Sequence, residues 1–390
     1  MTSPHEDFEQ QLIEALHQEA SLTMTMTDTP RELRRWKENL KRRRSTVRVA
    51  AFAAAAAAIA GAVLGATLIG TGTHKTAPTH PTTPRVKTST FGVPPSLPGS
   101  TPVTKVSGPV NVGEDAFGVV WATGQGSSSG HLYRLDAKTG AIVTDVRYAG
   151  AIDDLPPLRA GNVVLVPTQP KHGHSGYLVY NSAGQPTGQF IPATTPGPGA
   201  GDATGGWAPL TNRTVGHVSA SGRLTQQFRV TQTAITAVGF GDGSLWVGSL
   251  GSSAAIRLDP VSGKVIARVR LGGDPVQFLV TPTSVYATTD HFQIVRIDPV
   301  TNDVLAEATA GIPIDRHSFV FLAPAPNGNL WASPDQGGIV VLDPRDLTLI
   351  RGMQVYPDTR DGGISGLAVT TARVFLGDVD GTRTVSFPVH

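Results

Sequence analysis

The chain has 390 residues, enough for one large all-β domain or two ordinary ones. It contains no cysteine, which excludes disulfides, thiolate zinc sites and cysteine catalysis. The formal net charge of +2 hides an uneven placement of basic residues, and abundant Gly and Pro with only 6% aromatics suit a turn-rich β protein. The bias toward Ala, Gly, Thr and Arg points to a high-GC bacterial source.

The first 48 residues read as a basic cytoplasmic tail with short helices. Phe8, Leu12 and Leu16 stand at helical spacing and form a narrow apolar stripe. After a break over 21–30, Thr29 can cap a second helix and Pro30 can sit in its first turn. That helix, 31–44, carries Leu33, Trp36 and Leu40 among many cations, too little apolar surface for a domain. The alternative is a pair of helices that binds a regulator, similar to the cytoplasmic arm of an anti-sigma factor but without its His/Cys metal motif.

Residues 49–70 carry no charge over 22 positions, the length that spans a bilayer core. Arg31, Arg34, Arg35, Lys37, Lys41, Arg42, Arg43, Arg44 and Arg48 precede this run, whereas only Lys75, Arg85 and Lys87 follow it closely. The positive-inside rule then predicts a transmembrane helix with a cytoplasmic N-terminus and an extracytoplasmic C-terminus. The long basic segment before it favours an uncleaved anchor over a signal peptide. The cations adjoin the membrane span, where they meet anionic headgroups, so no nucleic-acid partner is expected. Residues 71–101, rich in Pro and Thr, read as an extended stalk.

From 102 to 390 the chain repeats. The most regular unit, 234–273, predicts strands at 235–239, 245–248, 255–258 and 264–271, separated by Gly-, Asp- and Pro-bearing turns. Aligning on its second strand gives Trp121, Val164, Trp207, Trp246, Tyr286, Trp331 and Phe375, spaced by 43, 43, 39, 40, 45 and 44 residues. A second series runs in step with it: LDAKTG (135–140), YNSAG (180–184), VSASG (218–222), LDPVSG (258–263), IDPVTN (297–302) and LDPRDL (342–347). Four strands per 40 to 45 residues is the period of a propeller. The fold class is therefore all-β, a seven-bladed β-propeller preceded by one transmembrane helix, with six or eight blades as alternatives. The last unit, 364–389, ends one strand short. Residues 102–106 would supply that strand and close the ring.

The strings DGSLWVGS (242–249), NGNLWASP (327–334) and IRLDPVSGKV (256–265) resemble the streptogramin lyase (virginiamycin B lyase-like) and YVTN propeller families. YRLDAKTGAIV (133–143) is also similar to quinoprotein repeats, but the Trp stands on the second strand and not at the end of the fourth. The lyase resemblance implies a His at the start of a first strand, a place His317 takes. It also implies a Glu after the second-strand aromatic, where this chain has Pro334.

Asp154, Asp274, Asp315 and Asp361 stand at or just before predicted first strands, which line the channel of a propeller. With Arg316 and His317 they would ring one channel mouth and hold Ca²⁺ or Mg²⁺ through oxygen ligands, or bind a cationic partner. Asp is equally a good turn residue before a strand. Lys171, His172 and His174 share a loop but have no third ligand nearby in sequence. The sequence thus predicts a membrane-anchored, extracytoplasmic binding module for a protein, glycan or small ligand. The alternatives are a lyase-like or hydrolase-like enzyme working at the channel mouth, and a transmembrane signaller acting through residues 1–48.

Overall fold

The computed structural model describes residues 86–91, 104–107, 111–125, 129–150, 155–170, 173–310, 320–333, 338–354, 364–378 and 383–389. The tail, the predicted membrane span and most of the stalk lie outside them. The described residues form strands and turns within one compact unit, Thr82–His390. No helix among them is long and apolar enough to cross a membrane.

Two strands precede the ring, β1 (Lys87–Phe91) and β2 (Thr104–Ser107). Blade 1 is β3 (Asn111–Ala116), β4 (Val119–Gln125), β5 (Gly130–Asp136) and β6 (Ile142–Tyr148). Blade 2 is β7 (Leu158–Ala160), β8 (Val163–Thr168), β9 (Gly176–Asn181) and β10 (Pro186–Pro192). Blade 3 is β11 (Ala200–Gly201), β12 (Gly205–Thr211), β13 (Thr214–Ser219) and β14 (Leu224–Arg229). Blade 4 is β15 (Ile235–Gly241), β16 (Ser244–Ser249), β17 (Ala254–Leu258) and β18 (Val265–Arg270). Blade 5 is β19 (Pro275–Thr281), β20 (Ser284–Thr289), β21 (Gln293–Ile297) and β22 (Val304–Ala310). Blade 6 is β23 (Phe321–Pro324), β24 (Leu330–Ser333), β25 (Gly338–Leu342) and β26 (Leu349–Gln354). Blade 7 is β27 (Ile364–Val369), β28 (Arg373–Asp378) and β29 (Arg383–Pro388).

Each blade is an antiparallel meander whose first strand is innermost, and each first strand touches the first strands of its neighbours around a ring. The count is seven. The predicted closure is present: β2 pairs antiparallel with β29, so the start of the domain completes the blade at its end. The inner strands approach closely where β27 meets β3. A Cβ on Gly366 would lie 2.1 Å from the Val112 carbonyl oxygen, so only glycine fits there.

The second-strand aromatics fill the gaps between blades. Trp246 packs on Phe278, Val285 and Ala287 of blade 5, and Trp331 packs on Leu367, Val374 and Leu376 of blade 7. Phe375 closes the circle against Val112, Val120 and Ala122 of blade 1. Blade 2 corrects the predicted marker by one residue. Val164 pairs with Tyr180 and faces back to Trp121, whereas Leu165 faces forward to Ala208, Leu210 and Val218 of blade 3. Side chains alternate along a strand, so a one-residue slip exchanges the two gaps. Without an aromatic to mark the register, both valine and leucine fit the pattern.

The turns between third and fourth strands are one device repeated. Asp136 Oδ1 accepts from the Lys138 and Thr139 amides, Asp259 Oδ1 from Val261 and Ser262, and Asp298 Oδ1 from Val300 and Thr301. In blades 2 and 3 Asn181 Oδ1 accepts from the Ala183 and Gln185 amides and Ser219 Oγ from the Arg223 amide. The closing residue is left-handed in each: Gly140, Gly184, Gly222, Gly263, Asn302 and Leu347. Leu347 holds φ 60° without being glycine, and its fully buried side chain in the core between blades 5 and 6 compensates that strain.

These turns are latched by the preceding blade. Arg134 Nη1 donates to the Ala183 carbonyl, Gln226 Nε2 to Val261, Arg257 Nη1 to Pro299 and Arg296 Nη1 to Arg345. Thr370 Oγ1 donates to Ala137 from blade 7 to blade 1. With its amide nitrogen turned inward, Gln189 reaches Gly222 O at 2.8 Å. Six of the seven joints carry this latch. The seventh has no such turn, because the outer strand of blade 7 is β2.

One difference from the sequence reading concerns the stalk. Lys87–Phe91 forms a fifth strand on blade 5, parallel to β22. Ser89 Oγ donates to the Leu347 carbonyl at 2.7 Å and Lys87 Nζ lies 3.2 Å from Asp346 Oδ2, so β1 also ties blade 5 to the blade 6 turn. A Thr-rich, proline-free stretch flanked by prolines has the β propensity to take an unpaired edge.

Candidate functional site

In a four-stranded meander the 1–2 and 3–4 turns fall at one end, here the lower face. The 2–3 loops and the blade-to-blade links fall at the other, the upper face. First strands begin on the upper face; the carboxylate ring was expected at such starts. Of its members only Asp274 lies among the described residues; Asp154, Asp315, Arg316, His317 and Asp361 lie outside them, as do Lys171 and His172. Among the described residues no group of three or more His, Asp or Glu side chains could hold a metal ion.

Asp274 is a structural knot. It is buried, 6% exposed, and its carboxylate accepts the amides of Gly251 and Ser253 from the 2–3 loop of blade 4, the latter at 2.9 Å. Its backbone is held by blade 5: the Asp274 amide donates to Asp290 Oδ1 at 2.7 Å, and the Asp290 amide returns to the Asp274 carbonyl at 3.0 Å. His291 Nδ1 completes the knot on the Gly272 carbonyl at 2.6 Å. Three consecutive residues, 272–274, thus staple one blade's loop to the next blade's turn. Further in, the Gln277 amide caps both sides of Leu322, accepting its N–H at 2.8 Å and donating to its carbonyl at 3.2 Å. This side chain stands in for a backbone pair between β19 and β23.

The hydroxyls two positions beyond the second-strand aromatic lie at the same end of the blades. Thr123 donates to the Leu155 carbonyl in the link entering blade 2. The equivalent Thr288 and Ser333 are fully buried, and their hydroxyls find no hydrogen-bond partner among the described residues.

Blade 3 presents a different arrangement on this face. A shallow open depression of about 420 Å³ is lined by Thr194, Thr211, Asn212, Arg213, Thr214 and Arg229. Register explains the grouping. Thr211 is paired with Thr214, and Thr214 with Arg229, so three adjacent strands set these side chains in one row on one side of the sheet. Thr211 Oγ1 accepts the Arg213 amide at 3.1 Å, and the Asn212 carbonyl accepts the Ile235 amide at 2.8 Å, fixing the turn. The sequence reading missed this cluster. Its members are scattered over 194–229 and only strand register unites them; the local signal was the polar TNRT turn where blade 4 has LGSS.

The lower face differs electrostatically. Hydrogen bonds from Thr139 hold the Asp136 carboxyl below its ordinary value, and those from Ser262 and Val261 do so for Asp259. The Arg345 side chain and amide hold Asp343 at about 2. These carboxylates serve the turns they cap. No protein-family model matches the chain, and no curated protein matches it at a significant level.

Proposed function

We propose that this protein is a binding module: a rigid, closed propeller whose upper face engages a glycan, protein or small ligand outside the cytoplasm. The 49–70 segment anchors it as a single-pass membrane protein, with residues 1–48 as the cytoplasmic tail. The observation that carries the reading is the division between faces. On the lower face the turn carboxylates and carbonyls are spent on caps and latches, whereas on the upper face blade 3 holds a row of polar side chains around an open depression. A ring latched at its joints presents such groups with little loss of conformational entropy on binding, which is how rigid scaffolds gain affinity. The anchor is supported by the uncharged run and by the cations that precede it.

The test is ligand capture by the full-length protein in lipid nanodiscs, using arrays of glycans and envelope proteins. Retention of a ligand that is lost on replacing the upper-face loops of blade 3 by those of blade 4 supports the reading; capture insensitive to that exchange removes it. Protease added to intact cells should cut the chain beyond Thr71, and full protection would refute the outward placement.

A further inference from the structure

We infer that the blade 3 depression is an anion-binding subsite for a small ligand that carries a phosphate ester beside hydroxyl groups, the chemistry of a sugar phosphate. The inference rests on the binding-module reading and names the ligand class for one site on it.

The argument is one of uncommitted donors. Among the described residues, neither the Arg213 nor the Arg229 guanidinium has a hydrogen-bond or ion-pair partner, although both line one depression. The Asn212 amide and the Thr214 hydroxyl are also unpaired. Thr211 already accepts the Arg213 amide, so its own proton is free to be donated. No carboxylate lines the depression. Arg134, Arg257 and Arg296 latch turns and Arg345 holds Asp343, so those guanidiniums are committed within the fold. Arg213 and Arg229 are set together around one depression by the register of β12, β13 and β14.

Guanidinium presents parallel N–H groups that match two phosphate oxygens, which an ammonium cannot do. The Asn and Thr groups beside it match hydroxyls, which both donate and accept. A volume of about 420 Å³ accommodates a monosaccharide phosphate, within the usual range of about 300–1,000 Å³ for ligand pockets. The site is open, so its charge is screened and the binding is weak, in roughly the millimolar range.

The experiment titrates the purified full-length protein with glucose 6-phosphate and with glucose, read by saturation-transfer difference NMR and calorimetry. The phosphate ester should bind at least tenfold more tightly than glucose, and raising salt from 50 to 500 mM should weaken it. The double variant R213A/R229A should lose at least tenfold in affinity. R223A, an exposed cation on the preceding turn, should bind as the parent does. Unchanged thermal melting of both variants establishes that the fold is kept; R213K/R229K, which keeps the charge but loses the fork, replaces the double variant if it is not. Binding of glucose as tight as the ester, or an affinity unchanged in the arginine variants, overturns the subsite. If the ester fails to bind while nanodisc capture of another ligand persists, the subsite falls and the binding module stands. If both fail, both readings fall.

Discussion

The two faces of the ring obey different rules. On the lower face one turn recurs six times, with a capping residue, a left-handed closing residue and a donor from the blade before it. On the upper face the three fully described 2–3 loops differ: blade 4 has a loop pinned by Asp274, blade 5 a turn knotted by Asp290 and His291, and blade 3 a tight polar turn beside the depression that Arg213 and Arg229 line. Repetition builds the scaffold, and its local failure is where specific chemistry can be added without disturbing closure.

The largest effect should come from the packing common to all blades. Trp246 is fully buried and its ring packs near Phe278, 6.4 Å between centroids. Trp246→Ala should cost about 3–5 kcal/mol, the usual loss for a large core aromatic. Urea unfolding monitored by circular dichroism measures it. A loss under about 1 kcal/mol would mean that the gaps between blades can collapse, contrary to the close packing expected of such cores.

Next comes a contrast between a carboxylate of each face. Asp274 is buried and joins two blades, whereas Asp259 caps an exposed turn within its own blade. Asp274→Ala removes both hydrogen bonds to a buried carboxylate and should cost about 2–3 kcal/mol. Asp259→Ala removes only an exposed cap and should cost clearly less. Equal losses would erase the difference in role between the faces and return Asp274 to the ordinary turn residue it resembles in sequence.

Much of this was legible in the chain before folding. The aromatic of the second strand and the L-D-x-x-x-G turn report burial and positive φ, which are local needs that one residue type meets best. They gave the blade count and the closing strand. The latch also has a local signature, an Arg two residues before the turn Asp in YRLD, IRLD and VRID (133–136, 256–259 and 295–298), which was read only as part of a strand. The blade 3 depression had no such signature, because it depends on Thr211, Thr214 and Arg229 meeting through register. Asp274 misled for the opposite reason: a carboxylate before a first strand has the same spacing whether it awaits a ligand or ties two loops.

A smaller effect concerns the lower-face caps in acid. The folded state holds the Asp343 carboxyl at about 2, chiefly through the Arg345 side chain, whereas an unfolded Asp titrates near 4. A carboxyl with a depressed folded pKa adds stability above its unfolded value, and loses it as the pH falls through the folded one. Stability should therefore fall between pH 4 and 2, and Asp343→Asn should flatten that limb. The pair is exposed, so solvent screening reduces its worth to tenths of a kcal/mol, as for surface ion pairs of about 0–1 kcal/mol. Melting temperatures of parent and variant over this range decide it; an unchanged limb would assign acid sensitivity elsewhere.

The smallest effect tests a place where β1 alters the symmetry of the rim. The outer strand of blade 4 leaves Val265 and Ile266 exposed by 47% and 51%; the equivalent residues of blade 5 are Val304 and Leu305, on a strand whose outer edge pairs with β1.

 Val304 and Leu305 are both half-buried, Val304 against the core between blades 4 and 5, and β1 covers the edge of β22 from Ala306 to Ala310. The cover is secured by an exposed ion pair, Lys87 with Asp346, and by Ser89 on the Leu347 carbonyl. Lys87→Ala should lower global stability by no more than about 0.5 kcal/mol, since exposed pairs contribute little. Its effect is local: amides of β22 should exchange faster by severalfold, while those of β18 stay as they are, because edge strands open before the ring does. Hydrogen exchange read by mass spectrometry distinguishes the two edges. Equal exchange in β18 and β22 of the parent protein would mean that β1 adds a contact without adding protection, and blade 5 would then be as open at its rim as blade 4.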